Sequence, residues 1–426
     1  MLLSFLSMVF LTRLLGPVGN GVYIFATAVL NLFMTIIGFQ LESALPVFLA
    51  GDKKNSPGII GTIGVLAISS VIAFAVIACA LVFIVPGGAR WVIPAGQSPG
   101  FFFVFFLLAF ILRRTSTLMQ AIMRGTFRFY YFNIYLLLNQ LIPSLVYGSL
   151  LLLTASTRFA ITIEGCFKII LLLESSIVLS GWLMLRRQHL LTFSFDLKPH
   201  LRPIILFSSK NLMSATGHYL NKRLDVWFVQ FYKGTAALGQ YGVATQIANF
   251  ISEAMSPFNQ VLVPHISAAS PAQHSAIVER TARLISFIAF SAALLIASTS
   301  WIFIPLFFGS SFKPSVAAAQ VLAIGIIFIS QRLVFTGYFK AVNQMQFPVR
   351  AAWAGVVITV ILDVILIPAY GIVGAAWATT LAYGTSSIYL VTMARKRLGF
   401  DWSAILWLRK SDIEWLLSKR GKKLPS

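Results

Sequence analysis

Arg113, Arg114, Lys210, Arg223 and Arg332 are among the basic residues that lie inside long apolar runs of this 426-residue chain. A charge at hydrocarbon depth costs about 2.5–3.5 kcal/mol on insertion scales, so such residues mark either a ligand site or a buried pair. The chemistry they suit is anion binding, because the planar guanidinium fork bonds two phosphate or carboxylate oxygens at once. Arg114 and Arg332 have polar company in Thr115, Ser116, Thr117, Gln120, Gln331 and Thr336. Arg113, one residue earlier, points about 100° round the same helix. Lys222 and Asp225 are spaced to pair on one helix face, which leaves Arg223 or Lys210 for a ligand. Among the acids in apolar runs, Glu253, Asp363 and Asp225 are candidates for taking up a coupling ion, H⁺ or Na⁺. The competing reading for all of these residues is mutual ion pairing that holds helices together.

Other chemistries find little support. The five histidines, His189, His200, His218, His265 and His274, are scattered and form no HExxH or other metal spacing. No Walker-type phosphate loop occurs, so ATP hydrolysis by this chain is not expected. Cys79 and Cys166 sit in apolar runs and suggest neither a disulfide framework nor a metal site. No catalytic residue, metal or cofactor is expected beyond the coupling ion.

These residues must be positioned by membrane helices. The chain is 58% hydrophobic and only 11% charged, far from the roughly 25% charged residues of soluble domains. Hydropathy predicts an all-α polytopic membrane protein with twelve spans, at about 2–15, 21–50, 57–86, 100–123, 128–154, 159–185, 203–231, 238–268, 278–309, 314–341, 347–368 and 371–394. The net charge of +21 sits mainly in loops and tail, where orientation and anionic lipid explain it without nucleic acid. One set of loops carries 12 Lys or Arg against 5 on the other, before nine more in the tail. Both termini are therefore expected on the cytoplasmic side of the cell's inner, cytoplasmic membrane. The longest polar break before the tail divides the chain into a six-helix lobe 1–186, a linker 187–202, a six-helix lobe 203–395 and a basic amphipathic tail 396–426. The tail's Trp402, Ile405, Trp407, Ile413 and Trp415 among basic residues suit a helix on the inner leaflet.

The chain also repeats. Shifted by 218 residues, Gly16, Gly21, Tyr23, Ala26, Thr27, Asn31, Pro46 and Ala50 fall on Gly234, Gly239, Tyr241, Ala244, Thr245, Asn249, Pro264 and Ala268. These are 8 identities in 35 ungapped positions, where chance gives roughly two or three. The same shift places Arg114 on Arg332, and puts Glu42 on Gln260. Parallel six-span repeats with a substrate site near the midplane are a transporter pattern. Matched Pro46 and Pro264 are candidate bends.

Three motifs point to a family. Arg13-Leu-Leu-Gly-Pro-Val-Gly-Asn-Gly-Val-Tyr23 resembles an R-L-L-G-P-x-x-x-G-x-Y opening. Arg223-Leu-Asp-Val-Trp227 with Leu238-Gly-Gln-Tyr241 resembles the start of a second lobe. Asp363-Val-Ile-Leu-Ile-Pro-Ala-Tyr-Gly-Ile-Val-Gly-Ala-Ala376 resembles N-x-x-L-I-P-x-Y-G-I-x-G-A-A, departing at Asp363. On these motifs the chain resembles the Wzx-type oligosaccharide flippases of the multidrug/oligosaccharidyl-lipid/polysaccharide exporter superfamily. The resemblance implies two lobes around a central cavity that opens to one side at a time. It also implies a polyprenyl-diphosphate-linked oligosaccharide moved from inner to outer leaflet for surface polysaccharide synthesis, and no enzyme activity. Arg114, Arg332, Arg113, Lys210 and Arg223 would then hold the diphosphate. Partners would be membrane lipids, a polysaccharide polymerase and glycosyltransferases. Two alternatives are a cation-coupled drug antiporter of the same fold and a membrane polymerase or ligase of lipid-linked sugars. Arginines at matched repeat positions favour an anionic head group over an organic cation. The longest outer loop, about 86–100, is too short for a catalytic domain.

Overall fold

The computed structural model describes residues 2–51, 55–156, 161–190, 194, 198–409 and 412. Among them there is no strand. The helices are α1 (Leu2–Ile36), α2 (Leu41–Gly51), α3 (Ser56–Cys79), α4 (Ala89–Val92), α5 (Pro99–Gly125), α6 (Phe129–Ser156), α7 (Ile163–Arg187), α8 (Lys198–Arg223), α9 (Asp225–Ala254), α10 (Ser256–Ala268), α11 (His274–Phe308), α12 (Ser315–Ala341) and α13 (Gln346–Leu398). Eight of the described helices are long and apolar enough to cross a bilayer. Two of them, α1 and α13, each contain two of the expected spans, joined at Gly16 and Gly371 without helical dihedrals. The other two spans are α8 with the start of α9, and the rest of α9 with α10. Their polar residues lower the hydropathy, and Gly234 bends the chain between them. The twelve-span all-α architecture is thereby borne out.

The repeat is visible in the backbone. Gly16 has φ 62° and ψ −176°, and its mate Gly234 has φ 81° and ψ 179°. That region is open essentially to glycine alone. Both repeats also interrupt their second span at the same place. In the first, residues 37–40 separate α1 from α2; in the second, Met255 separates α9 from α10. At the bends the helices pack at backbone distance. A β-carbon on Gly21 would overlap the Thr235 carbonyl, and one on Gly239 would overlap the Pro17 carbonyl. Those two contacts map onto each other under the 218-residue shift. Asn20 Nδ2 adds a buried bond to the Gly239 carbonyl at 2.7 Å.

The chain forms two compact units, 1–239 and 240–426. In the first, α1 packs on α5, α6, α7 and α8, and α2 packs on α3, α5 and α8. A core of Leu41, Leu45, Ile59, Ile63, Met123, Tyr135 and Ile204 ties α2, α3, α5, α6 and α8 together. In the second, α12 packs on α10, α11 and α13. The α12–α13 contact uses small residues, with Gly325 against Thr380 and Thr380 Oγ1 bonded to the Val321 carbonyl at 3.2 Å. Lipid supplies no hydrophobic drive between helices, so such close approach and interhelical bonding hold them. Large apolar side chains such as Leu152, Leu172 and Ile365 point outward, as lipid-facing surfaces require.

The described part of the tail is no extended helix. Gly399 ends α13 in the left-handed region at φ 71°, and Trp402–Ile405 forms one short 3₁₀ turn. Ala404 and Ile405 are buried, with their carbonyls bonded by Arg283 Nη1 at 2.7 Å and Ser286 Oγ at 3.1 Å. Asp412 takes both Arg283 Nε (2.6 Å) and Nη2 (2.8 Å), and Arg280 Nε at 3.4 Å. Ile413 and Trp415 lie outside the described residues.

Candidate functional site

In the first unit, the two adjacent arginines of α5 face different helices. Arg114 is 2% exposed and both terminal nitrogens are committed: Nη1 to Glu42 Oε2 at 2.8 Å, Nη2 to the Gly38 carbonyl at 2.6 Å. The reason lies in the interrupted second span, where Phe39 and Gln40 adopt positive φ of 55° and 51°. A helix break frees carbonyls that must find donors when buried. Arg114 supplies one donor and balances the carboxylate that opens α2.

Arg113 turns to α7 instead. Its Nε donates to Glu174 Oε1 at 2.7 Å, with side chains 22% and 19% exposed. The guanidinium makes no other hydrogen bond to a described residue, so both Nη groups are available. Beside this pair lie two tyrosines, Tyr23 of α1 and Tyr147 of α6, whose hydroxyls feel the charges of Arg113 and Glu174. Tyr23 also feels Arg223. Arg223 closes α8, is half-buried, and has no hydrogen bond or ion pair to a described residue. Tyr219, one turn earlier, is fixed by its hydroxyl to the Ala28 carbonyl. Arg113 and Arg223 of the first unit are thus both within electrostatic reach of Tyr23. Asp225, buried at the start of α9, acts electrostatically on Tyr219. The side chain of Lys210 lies outside the described residues.

In the second unit, Arg332 of α12 is half-buried and stacks over the Tyr383 ring of α13, 5.6 Å from its centroid. A guanidinium over an aromatic face is attracted by the ring quadrupole. Its neighbour Gln331 is tied to α11 through the Ala282 carbonyl at 3.2 Å and the Ser286 hydroxyl. Asp363 of α13 is fully buried, one turn after buried Thr359, while Glu253 near the end of α9 is exposed. No group of three or more metal-ligating side chains occurs among the described residues.

The sequence offered the arginines and, as the competing reading, their pairing with acids inside the spans, which Glu174 and Glu42 supply; it did not mark Tyr23 and Tyr147 as their surroundings. Tyr23 stands out there only as one of the eight repeat identities. Which acid pairs with which arginine depends on helix packing and had no signal.

Buried cations on a polytopic helical frame, with paired glycine bends, fit the duplicated architecture of a membrane transporter. Residues 10–317 match the family described as Polysaccharide biosynthesis protein, and the chain belongs to that family. It is 26% identical, over 96% of its length and 84% of the relative's, to the probable low-salt glycan biosynthesis flippase of Haloferax volcanii. Its fold is similar to that of the lipid II flippase MurJ in an inward closed conformation, with TM-score 0.70, 13% identity, and coverage of 99% of this chain and 92% of that one. It is similar also to an inward-facing multidrug resistance MATE family transporter of the MOP superfamily, with TM-score 0.68, 14% identity, and coverage of 93% and 94%. The resemblance to Wzx-type flippases is borne out, and the chain is a multi-pass membrane protein of polysaccharide biosynthesis.

Proposed function

We propose that this chain is a flippase carrying a polyprenyl-diphosphate-linked oligosaccharide from the inner to the outer leaflet by alternating access. Flipping is a solvation problem: the polyprenyl tail stays in lipid, while the diphosphate and sugars need a polar, cationic path. The observation that carries the reading is the pair of half-buried guanidiniums within electrostatic reach of Tyr23. Arg223 is unpaired among the described residues and Arg113 is held by a single bond. Such groups cost energy to keep in a membrane protein unless a ligand uses them. Arg113 and Arg223 are the main diphosphate ligands of the first unit, with Lys210, further towards the start of α8, as an additional candidate. Arg332 is their counterpart in the second unit. Arg114 serves the site from behind, by holding the break before α2. Asp363, Asp225 and Glu253 are the candidates for coupling to H⁺ or Na⁺, Asp363 first because it is wholly buried. Both termini lie in the cytoplasm of a cell whose inner membrane also holds the polymerase and glycosyltransferases of the same glycan.

Complementation of a flippase-deficient strain tests this. Arg113→Ala and Arg223→Ala are expected to lose glycan export at normal membrane levels, with lipid-linked sugar building up on the inner leaflet. Full export by the double variant would remove these residues from the site. Lost polymer with normal translocation would make the chain a polymerase instead.

A further inference from the structure

Between α3 and α5 the chain folds a compact loop rather than a simple turn. The last turn of α3 widens to a π-helix at Ala80–Ile84, and α4 follows within the loop. Gly87 and Gly96 take positive φ of 74° and 76°, and Val92 and Ile93 are buried as anchors. Beneath this loop and against α9 is a cavity of about 680 Å³, within the ~300–1,000 Å³ typical of ligand sites. Its walls include Trp91, Trp227, Phe231, Arg90, Gln97 and Gln230.

These residues are arranged, not merely present. Trp227 Nε1 donates to the Trp91 carbonyl at 3.2 Å, and the Phe25 ring packs edge-on to the Trp227 indole with centroids 6.0 Å apart. The indole is therefore held in place. Trp91 itself is 65% exposed. Gln230 Nε2 donates to Thr235 Oγ1 at 3.0 Å, leaving Oε1 without a partner. Arg90 is exposed and makes no hydrogen bond or ion pair to a described residue, and no lining residue is acidic. Interface tryptophans often form a plain belt along the membrane surface. A belt does not explain a concave wall with an indole fixed by loop backbone, two amides and an unneutralised guanidinium.

We propose that this cavity binds a carboxylate-bearing sugar of the transported glycan. A pyranose offers one apolar face of C–H bonds and a rim of hydroxyls. Flat indoles cover the face, amides meet the rim, and the arginine fork takes a uronate carboxylate. The rigid loop lowers the ordering cost of binding. The site lies at the C-terminal end of α3, whereas Ser194 of the interlobe segment bonds the Pro57 carbonyl at its N-terminal end. With both termini and that segment in the cytoplasm, the cavity opens on the outer face, where the head group arrives. The assignment to the transported glycan rests on the flippase reading.

The test uses the full chain in nanodiscs and two free probes, trigalacturonate and the neutral maltotriose, followed by saturation-transfer NMR and titration. Trigalacturonate is expected to bind about tenfold or more tightly than maltotriose, as a charge-assisted bidentate contact requires. Arg90→Ala should bring the two probes level, and Trp91→Ala should lose both. The unchanged melting temperature of each exposed-site variant shows that the fold is intact. Equal binding of the probes by the parent chain, binding of neither, or undiminished binding by both variants would overturn the site. Export in the flippase-deficient strain is scored in parallel. Export without sugar binding removes this site and leaves the flippase reading standing. Sugar binding without export does the reverse.

Discussion

Arg113 and Arg114 share a helix turn and do different things, because one residue of rotation sends them to different neighbours. Arg114 answers a half-buried carboxylate and a buried backbone carbonyl together. Arg114→Ala would strand both, and leaving the buried Gly38 carbonyl without its donor costs about 1–3 kcal/mol. The expected result is a much lower unfolding midpoint in detergent and reduced membrane levels. Arg113→Ala removes a pair that is partly exposed, so its melting temperature should stay within a few degrees while export falls. A matching loss of stability in Arg113→Ala would place it with Arg114 as a structural residue. The types and positions of these arginines were legible in the sequence, and so was their divergence around the helix. Which of them is committed was not, because that depends on a carbonyl freed by non-helical backbone at Phe39 and Gln40. No proline marks that break; Gly38 is its single local sign.

At the scale of elements, the repeat is carried by bends rather than by charge. Gly16 and Gly234 sit in a region of backbone space that costs other residues about 1–3 kcal/mol. Gly16→Ala and Gly234→Ala should each lower the unfolding midpoint by a comparable amount. Their effects should not simply add, since both bends meet at the Pro17–Gly239 and Gly21–Thr235 contacts. Additive losses would mean that each bend acts alone. The span pattern was readable from hydropathy, and the bends from glycines matched at a fixed shift. Less readable was the membrane status of α8, whose Lys210, His218, Lys222 and Arg223 dilute its apolar run. Those same residues are what a polar path through a bilayer requires, so the weakest span by hydropathy is among the most informative for function.

For the molecule as a whole, the Asp412 clamp ties the segment after α13 back to α11 within the second unit. The Arg283 hydrogen bonds hold the Asp412 carboxyl well down, at about 2, with Arg409 N–H and Arg280 assisting against the cost of burial. Its unfolded value is near ~3.9, so the clamp contributes fully above that pH and is lost as pH falls through about 2. A fluorophore at Ser403→Cys, in a chain without Cys79 and Cys166, should show constant anisotropy from pH 8 to pH 5. Asp412→Asn should lower it at every pH in that range. Unchanged anisotropy in Asp412→Asn would show that burial of Ala404 and Ile405 holds the segment unaided. The sequence showed this region as basic and aromatic and gave no sign that one acid in it has a fixed partner 129 residues upstream.

That separation has a consequence for biosynthesis. The ribosome makes Arg283 long before it makes Asp412, so the helix bearing the guanidinium enters the membrane with only Glu279 of the same helix, at 3.7 Å, to balance it. Completion of this contact waits until translation has passed Asp412. A chain stopped short of Asp412 carries a standing defect inside its final bundle, which a membrane protease can read as the mark of an unfinished product.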